Sequence, residues 1–331
     1  MSDNKVVQRC LLELTKKPYL DFSEFMNLAL YAEHDGYYMR PQSPLGASGD
    51  FITAPILSPI FSKAIAAWLE DQGVDSVLEV GAGQGQLAMG VIASMPALKE
   101  YIAVDKNTKT LMGLDIENGK SIKPTVRSSM PKEWSGGLIA NELFDAFPVR
   151  RFCWEAKNGL KEFVVCEKNG QLHMMLQKTI DVEEMWPRIS QCLKDKDGPY
   201  IFEHCFEIET WFDQIAGFSG PILLIDYGYE LHEYFHPDRT MGALMCFQQH
   251  QVVPFSLSSA GMVDMTTAVN WSWVIEVAQQ RGFSVECFGP QADFLLEYAS
   301  FENTSPQQVK TLLMPEEMGQ YVKILSLKKQ Q

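Results

Sequence analysis

A chain of 331 residues is too long for one small core; at ~150 residues per domain it predicts two domains, or one large α/β domain carrying an insertion. With 46% hydrophobic and 21% charged residues it has ordinary globular composition and can bury a sizeable core. Its 28 basic and 42 acidic residues leave a net charge of −14, which argues against free-standing electrostatic binding to DNA or RNA and stays compatible with a basic protein partner.

Cysteines stand at positions 10, 153, 166, 192, 205, 246 and 287, widely spaced and without a C-x-x-C pair. That pattern is neither a secreted disulfide framework nor a zinc site, and it predicts reduced thiols. Met1 to Asp21 mixes Asp3 and Glu13 with Lys and Arg and lacks a long apolar stretch, so no signal or transit peptide is expected. No run of about 18 apolar residues is present, so no membrane span is expected, and a bacterial-type cytoplasmic location follows as the expectation.

Phe22, Phe25, Met26, Leu28, Ala29 and Leu30 recur at helical spacing, with Asp21 or Ser23 as the cap. His34 to Tyr38 breaks that pattern, and Pro41 to Pro55 reads as a polar Gly/Pro-rich loop of a length that is more often functional or mobile than idle. A helix is predicted from about Pro59 to Asp71, with Ile60, Ala64, Ala67 and Trp68 on one face. An α/β rhythm follows: strand Ser76–Val80, turn Gly81–Gly85, helix from about Gln86 to Ser94, and strand Glu100–Val104 ending in Asp105. Gly137–Ala140 is a third strand ending in Asn141-Glu142, and Pro221–Ile225 a fourth ending in Asp226. Apolar runs of this length between helices predict a parallel sheet.

Between about 150 and 200 the rhythm changes. Lys157-Asn158-Gly159 and Lys168-Asn169-Gly170 separate Arg150–Glu155, Leu160–Glu167 and Gln171–Gln177, the signal of a three-stranded antiparallel meander. The fold expected is α/β, with a Rossmann-like core, N-terminal helices and an inserted meander. Residues 1–48 are expected to form an N-terminal helical region and residues 49–149 the first segment of the core. Residues 150–205 are expected to be an inserted β-rich, substrate-side region, and residues 206–331 the second segment of the core with C-terminal elements.

The turn reads Glu79-Val-Gly81-Ala-Gly83-Gln-Gly85, immediately after a strand and before a helix, where backbone N–H groups can meet a ligand. A nicotinamide fingerprint is G-x-G-x-x-G, whereas this turn is G-x-G-x-G with an acid two residues before the first glycine. S-adenosylmethionine carries no phosphate and presents an ammonium group, a ribose and an adenine, so an acid beside the turn suits it better. Asp105, closing the next strand, is placed to accept both ribose hydroxyls, a feature shared by dinucleotide and adenosylmethionine sites. Metal ligands are not expected, since His34, His232 and His236 show no ligand spacing.

Asn141-Glu142-Leu-Phe-Asp145-Ala-Phe-Pro148 follows the third strand, at the edge where open parallel sheets bind ligands. Two readings compete there: polar groups facing a transferred methyl, or a helix start capped by Asn141 or Asp145 and ended by Pro148.

These segments resemble the MidA-like methyltransferases, the family of the mitochondrial complex I assembly-factor arginine methyltransferase. The resemblance rests on Gly49–Pro55, Leu78–Gly85, Asn141–Val149, Leu224–Tyr229, Gly242–Cys246 with His250, Asp264–Trp271 and Met318-Gly319, in order along nearly the whole chain. It implies an S-adenosylmethionine cofactor lined by Gly81, Gly83, Gly85 and Asp105, with Gly49, Asp50, Phe51, Thr53, Asn141 and Glu142 bordering the active site. It also implies a protein arginine acceptor, on a respiratory complex I subunit or its bacterial counterpart. Ile56 stands where the family commonly has Glu, Ala82 and Gln84 where it often has Pro and Arg, and Asn270 where Asp is frequent.

Methyl transfer from a sulfonium is an in-line displacement, so the protein must align acceptor and methyl carbon. A guanidinium acceptor calls for carboxylates, and Glu142, Asp145, Glu203 and Asp226 lie near predicted strand ends. Of these, Glu142, Asp145 and Glu203, with Asn141, form the expected catalytic set, and Glu79 joins the cofactor set. His204 and His250 are further candidates for acid/base or substrate contacts. Two functions remain open from the residues: a protein methyltransferase, or an adenosylmethionine-binding assembly protein with little turnover. The partner expected is a basic protein substrate and not a nucleic acid, with a homodimer left open.

Overall fold

Each central strand is short and apolar on both faces, so it needs cover on both sides, and a parallel strand needs a crossover to reach its neighbour. The computed structural model describes residues 3–40, 58–111, 122–179, 186–196, 198–302 and 304–330. The chain divides into two units, one of Met1–Arg40, Ala146–Ile208 and Tyr229–Ser272, the other of Pro41–Asp145, Glu209–Gly228 and Trp273–Gln331.

The second of these holds the parallel sheet. β2 (Ser76–Val80), β3 (Glu100–Val104), β4 (Thr125–Arg127), β5 (Gly137–Asn141) and β10 (Ile222–Tyr229) run parallel; β16 (Val322–Lys329) pairs antiparallel with β10, and β15 (Phe283–Pro290) pairs antiparallel with β16. The order is β15-β16-β10-β5-β2-β3-β4. Helix Pro59–Asp71 starts at Ser58, whose side chain accepts the Ile60 N–H, with Pro59 preset for the first turn. It buries Phe61, Ala64, Ile65, Trp68 and Leu69 in one cluster with Leu87, Ala88, Val91 and Ile92 of helix Gln86–Ser94 and with Val77, Ala103, Ile139 and Leu223 of the strands. These two helices and strands β2 and β3 have the limits read from the sequence, whereas β5 runs one residue further, to Asn141, and β10 runs on past Ile225 to Tyr229.

In the first unit, helix Phe22–Tyr31 begins at Asp21, which accepts the Glu24 N–H while Glu24 accepts the Asp21 N–H, a reciprocal capping box. β1 (Leu20–Asp21), β6 (Arg150–Glu155), β7 (Gly159–Lys168), β8 (Gln171–Lys178) and β9 (Tyr200–His204) form one sheet in the order β1-β7-β6-β9, with β8 on β7. The unit also holds β11 (Leu244–Gln248), β12 (Gln251–Val252) and β13 (Asp264–Thr267), in the order β12-β11-β13, and β14 (Val269–Asn270).

The two Asn-Gly turns are different hairpins. Asn169 and Gly170 both have positive φ, 55° and 75°, the two-residue turn that suits strand twist. In the first, Glu155 pairs with Gly159, Asn158 N–H bonds to Glu155 O, and only Gly159 is left-handed at φ 70°, a three-residue loop.

The regions read from the sequence are regrouped by these contacts. Residues 150–205 pair and pack with the N-terminal region: Leu20 and Asp21 pair with Val165 and Val164, and Val165 is buried with Phe22, Phe25, Cys246 and Met265. Residues 229–272, expected in the second segment of the core, belong with the meander and the N-terminal helices. Long-range pairing does this, and no local pattern encodes it. Among the described residues, no helix is long and apolar enough to cross a membrane.

Candidate cofactor and methyl-transfer site

Parallel register lines up the strand ends. Val80 pairs with Val104 and with Ala140, and Asn141 pairs with Ile225. Gly81, Asp105, Asn141-Glu142 and Asp226 therefore stand side by side at the carboxyl edge of the sheet, where open α/β sheets take ligands.

The turn is held open by its glycines. Gly81, Gly83 and Gly85 have φ of 76°, 56° and 79°, a conformation that side chains with a Cβ rarely adopt. A Cβ on Gly81 would stand 3.0 Å from Leu143 Cδ1, so the turn also passes close to the segment after β5. Gly81 and Ala82 N–H bond to Val104 O, and Gly83 N–H donates to Asp105 Oδ2 at 2.9 Å. Asp105 Oδ1 accepts from Asn107 N–H at 2.7 Å, an Asx turn, and Thr110 Oγ1 donates to Gly83 O at 2.6 Å. Asn107 and Thr110 thus brace the turn. Sequence reasoning misses both, although Asp-x-Asn after a strand is a readable turn signal.

Burial pushes Asp105 above the usual aspartate range, against the two backbone N–H bonds that favour its charge. Each of its oxygens already accepts one backbone N–H and keeps a lone pair for a hydroxyl donor. Asn141 Oδ1 is buried and, among the described residues, accepts no hydrogen bond, an acceptor that a ligand donor would satisfy. A turn with three left-handed glycines, a ribose-competent carboxylate and this open acceptor fit an adenosylmethionine-type ligand. Gly49, Asp50, Phe51, Thr53 and Ile56 lie outside the described residues.

Glu79 stands on β2, two residues before Gly81. It is buried within β2 and accepts the Tyr101 hydroxyl at 2.7 Å, a partner across the strand pair that spacing alone does not reveal. Burial, with a smaller contribution from the Asp105 charge, pushes its carboxyl up to about 8 from the ordinary 4.5. The native state keeps this proton where the unfolded chain has lost it, so Glu79 makes stability fall as pH rises from about 4.5 to about 8. Glu79→Gln is expected to melt near the wild-type temperature at pH 5 and above it at pH 9; a melting difference that stays constant across thermal melts at both pH values would refute the linkage.

After β5 no helix begins, which removes the helix-cap reading of Asn141 and Asp145. Glu142 instead takes φ 50°, with its N–H bonded to Ile225 O at 2.8 Å and its Oε1 3.4 Å from Asn141 Nδ2. Asp226 Oδ2 accepts three successive backbone N–H groups, Leu143 at 3.1 Å, Phe144 at 2.8 Å and Asp145 at 3.2 Å. Burial, and then the Glu142 charge, push Asp226 upward. Tyr227 is held well above the ordinary phenol range by burial and by Glu142, Asp145 and Asp226. The structure thus gathers Asn141, Glu142, Asp145, Asp226 and Tyr227 at one edge.

Glu203 is not among them. It lies in the other unit, inside β9, buried, 3.0 Å from Arg151 Nε and accepting Ala243 N–H at 2.6 Å. It is the penultimate residue of β9, near the strand end as its apolar run predicts, and its charge is matched within the chain. His204 is buried beside it, pushed down to about 3 by burial and the Arg150 charge. His250 and Gln249, at φ 61° and 50°, make the two-residue turn between β11 and β12. Among the described residues, no group of three His, Cys, Asp or Glu is arranged to hold a metal ion.

Known proteins resemble this arrangement along most of the chain. Residues 61–290 match the S-adenosyl-L-methionine-dependent methyltransferase family Methyltransf_28. A crystal structure of a superfamily member from Burkholderia thailandensis, bound to S-adenosyl-homocysteine, superposes with a TM-score of 0.89 at 27% identity, covering 98% of this chain and 92% of that one. Protein arginine methyltransferase NDUFAF7 of Danio rerio is 26% identical over 322 residues, covering 83% of this chain and 72% of the relative. The mitochondrial NDUFAF7 homolog of Caenorhabditis elegans is 24% identical over 316 residues with the same coverage. With its glycine cradle, its Asp105 and a family match over more than half of its length, the chain belongs to the MidA-like family of S-adenosylmethionine-dependent methyltransferases.

Proposed function

We propose that the methyl acceptor is an arginine side chain of a protein. The observation that carries this reading is the pair of carboxylates, Glu142 and Asp145, on the segment that Asp226 holds at the strand edge. The name protein arginine methyltransferase, carried by relatives at 24 and 26% identity, supports it. When bound, the cofactor supplies a methyl group on a cationic sulfur. The chain's own contribution is then alignment: the Gly81–Gly85 turn and Asp105 fix the donor side, and Glu142 and Asp145 orient the acceptor by charge-assisted hydrogen bonds. A guanidinium gives up one proton as its nitrogen is methylated, and the carboxylate that accepts that N–H is placed to take the proton and pass it to solvent. The net charge of −14 suits a basic partner, and a subunit of respiratory complex I or its bacterial counterpart is the proposed class.

Transfer of labelled methyl from adenosylmethionine into a lysate of the source cells tests the acceptor. The expected product is methylarginine in a protein; label in a small molecule or on another side chain overturns the arginine assignment and leaves the methyltransferase family intact. Calorimetry is expected to show binding of adenosylmethionine and adenosylhomocysteine with no comparable heat from NAD. Tight NAD binding would contradict the reading of the glycine spacing.

A further inference from the structure

Asp226 has an arrangement that its position in a buried strand does not require. Parallel pairing of β5 with β10 ends at Asn141 and Ile225, and β10 continues beyond it to Tyr229. There a side chain only 2% exposed takes three consecutive backbone N–H groups on one oxygen, and the N–H of its neighbour Tyr227 on the other at 2.8 Å. Three N–H groups converging on one anion define a concave backbone turn. Without that anion, the N–H groups of 143–145 lose the partner that bends the segment, and burial makes such a loss costly.

The bend has a consequence at Glu142. Its φ of 50° is a left-handed conformation uncommon for a glutamate, and no glycine relieves it. The residue is pinned on both sides: its own N–H bonds to Ile225 O, and the next three N–H groups bond to Asp226. Strain of this kind persists where surrounding bonds over-determine the backbone. Phe144, buried and edge-on to Trp211 at 5.0 Å, anchors the middle of the same segment.

We infer that Asp226 is a positioning residue for methyl transfer: it folds the 142–145 segment so that Glu142 is presented at the strand edge for the acceptor. The inference rests on the proposed role of Glu142. It assigns Asp226 no contact with either substrate.

The test is a double-mutant cycle with Asp226→Asn and Glu142→Gln, read as initial rates of labelled methyl transfer over a lysate dilution series, with adenosylhomocysteine affinity measured by calorimetry. Asp226→Asn alone is expected to lower the saturating rate at least thirtyfold, with apparent acceptor KM and adenosylhomocysteine affinity within about threefold of wild type. In the Glu142→Gln background it should cost no more than about threefold, because residues acting through one another are not additive. An equal loss in both backgrounds overturns the inference while leaving Glu142 in place; wild-type turnover of Glu142→Gln overturns both. Should Asp226→Asn fail to fold, the wild-type protein decides. The amide resonances of Leu143, Phe144 and Asp145 should be shifted downfield and protected from exchange at least a hundredfold, and exchange at the rate of free amides overturns the inference.

Discussion

Gly83→Val is expected to abolish adenosylmethionine binding in a protein that still folds. Gly83 sits at φ 56°, where a β-branched side chain is strained by about 1–3 kcal/mol. The same residue donates the 2.9 Å bond that orients Asp105, so relaxing the strain moves the carboxylate that meets the ribose. An affinity at least a hundredfold weaker by calorimetry follows from losing about 3 kcal/mol. The fold should survive with a melting temperature lowered by several degrees, since the core beneath the turn keeps its strands and helices. Gly170→Val is the control: it lies at φ 75° in the β7–β8 hairpin with nothing within 4 Å of an added Cβ, so it carries similar strain and no site. Unchanged cofactor affinity in folded Gly83→Val would make the turn purely structural.

Glu142→Gln is expected to leave cofactor affinity within about threefold and to lower methyl transfer by about thirty- to a thousand-fold. Glutamine keeps the shape and the backbone bond to Ile225, and removes only the charge. Losing one charge-assisted bond to a desolvated guanidinium costs about 2–4 kcal/mol. Asp226 should also titrate lower in this variant, because the Glu142 charge is one of the causes of its upward shift. Full turnover with labelled adenosylmethionine would remove Glu142 from the mechanism and shift the assignment to Asp145. The contrast between the two variants separates donor-side from acceptor-side roles, since one loses binding and the other turnover.

The elements of the site that depend on contiguous residues are legible before any fold is drawn. Strand, glycine turn and helix occupy residues 76–94 as read, and the left-handed φ at Gly81, Gly83 and Gly85 is what G-x-G-x-G spacing requires. Asp105 and Asn141 can be located because a strand's last residue follows from its apolar run. The meander follows from its Asn-Gly turns, although one of its hairpins closes with three residues instead of two.

What the sequence by itself determined is therefore local: strand and helix limits, turn glycines, caps and the residues that end each strand, all set by interactions within a few positions. Tertiary structure alone decided which carboxylates are matched inside a core and which stand at the site. Glu203 and Glu142 look alike in sequence, each an acid at the end of an apolar run, yet Glu203 is paired with Arg151 from a strand some fifty residues earlier, while Glu142 stands at the sheet edge. Asp226 looks like another strand-end acid, and only the alignment of β5 with β10 turns it toward the 143–145 N–H groups. The grouping of residues 1–40 with the meander and 229–272 is equally beyond reach, because it depends on pairings between distant segments such as Leu20 with Val165. A buried carboxylate's role depends on its partner, and partners brought together by long-range packing leave no mark on local spacing.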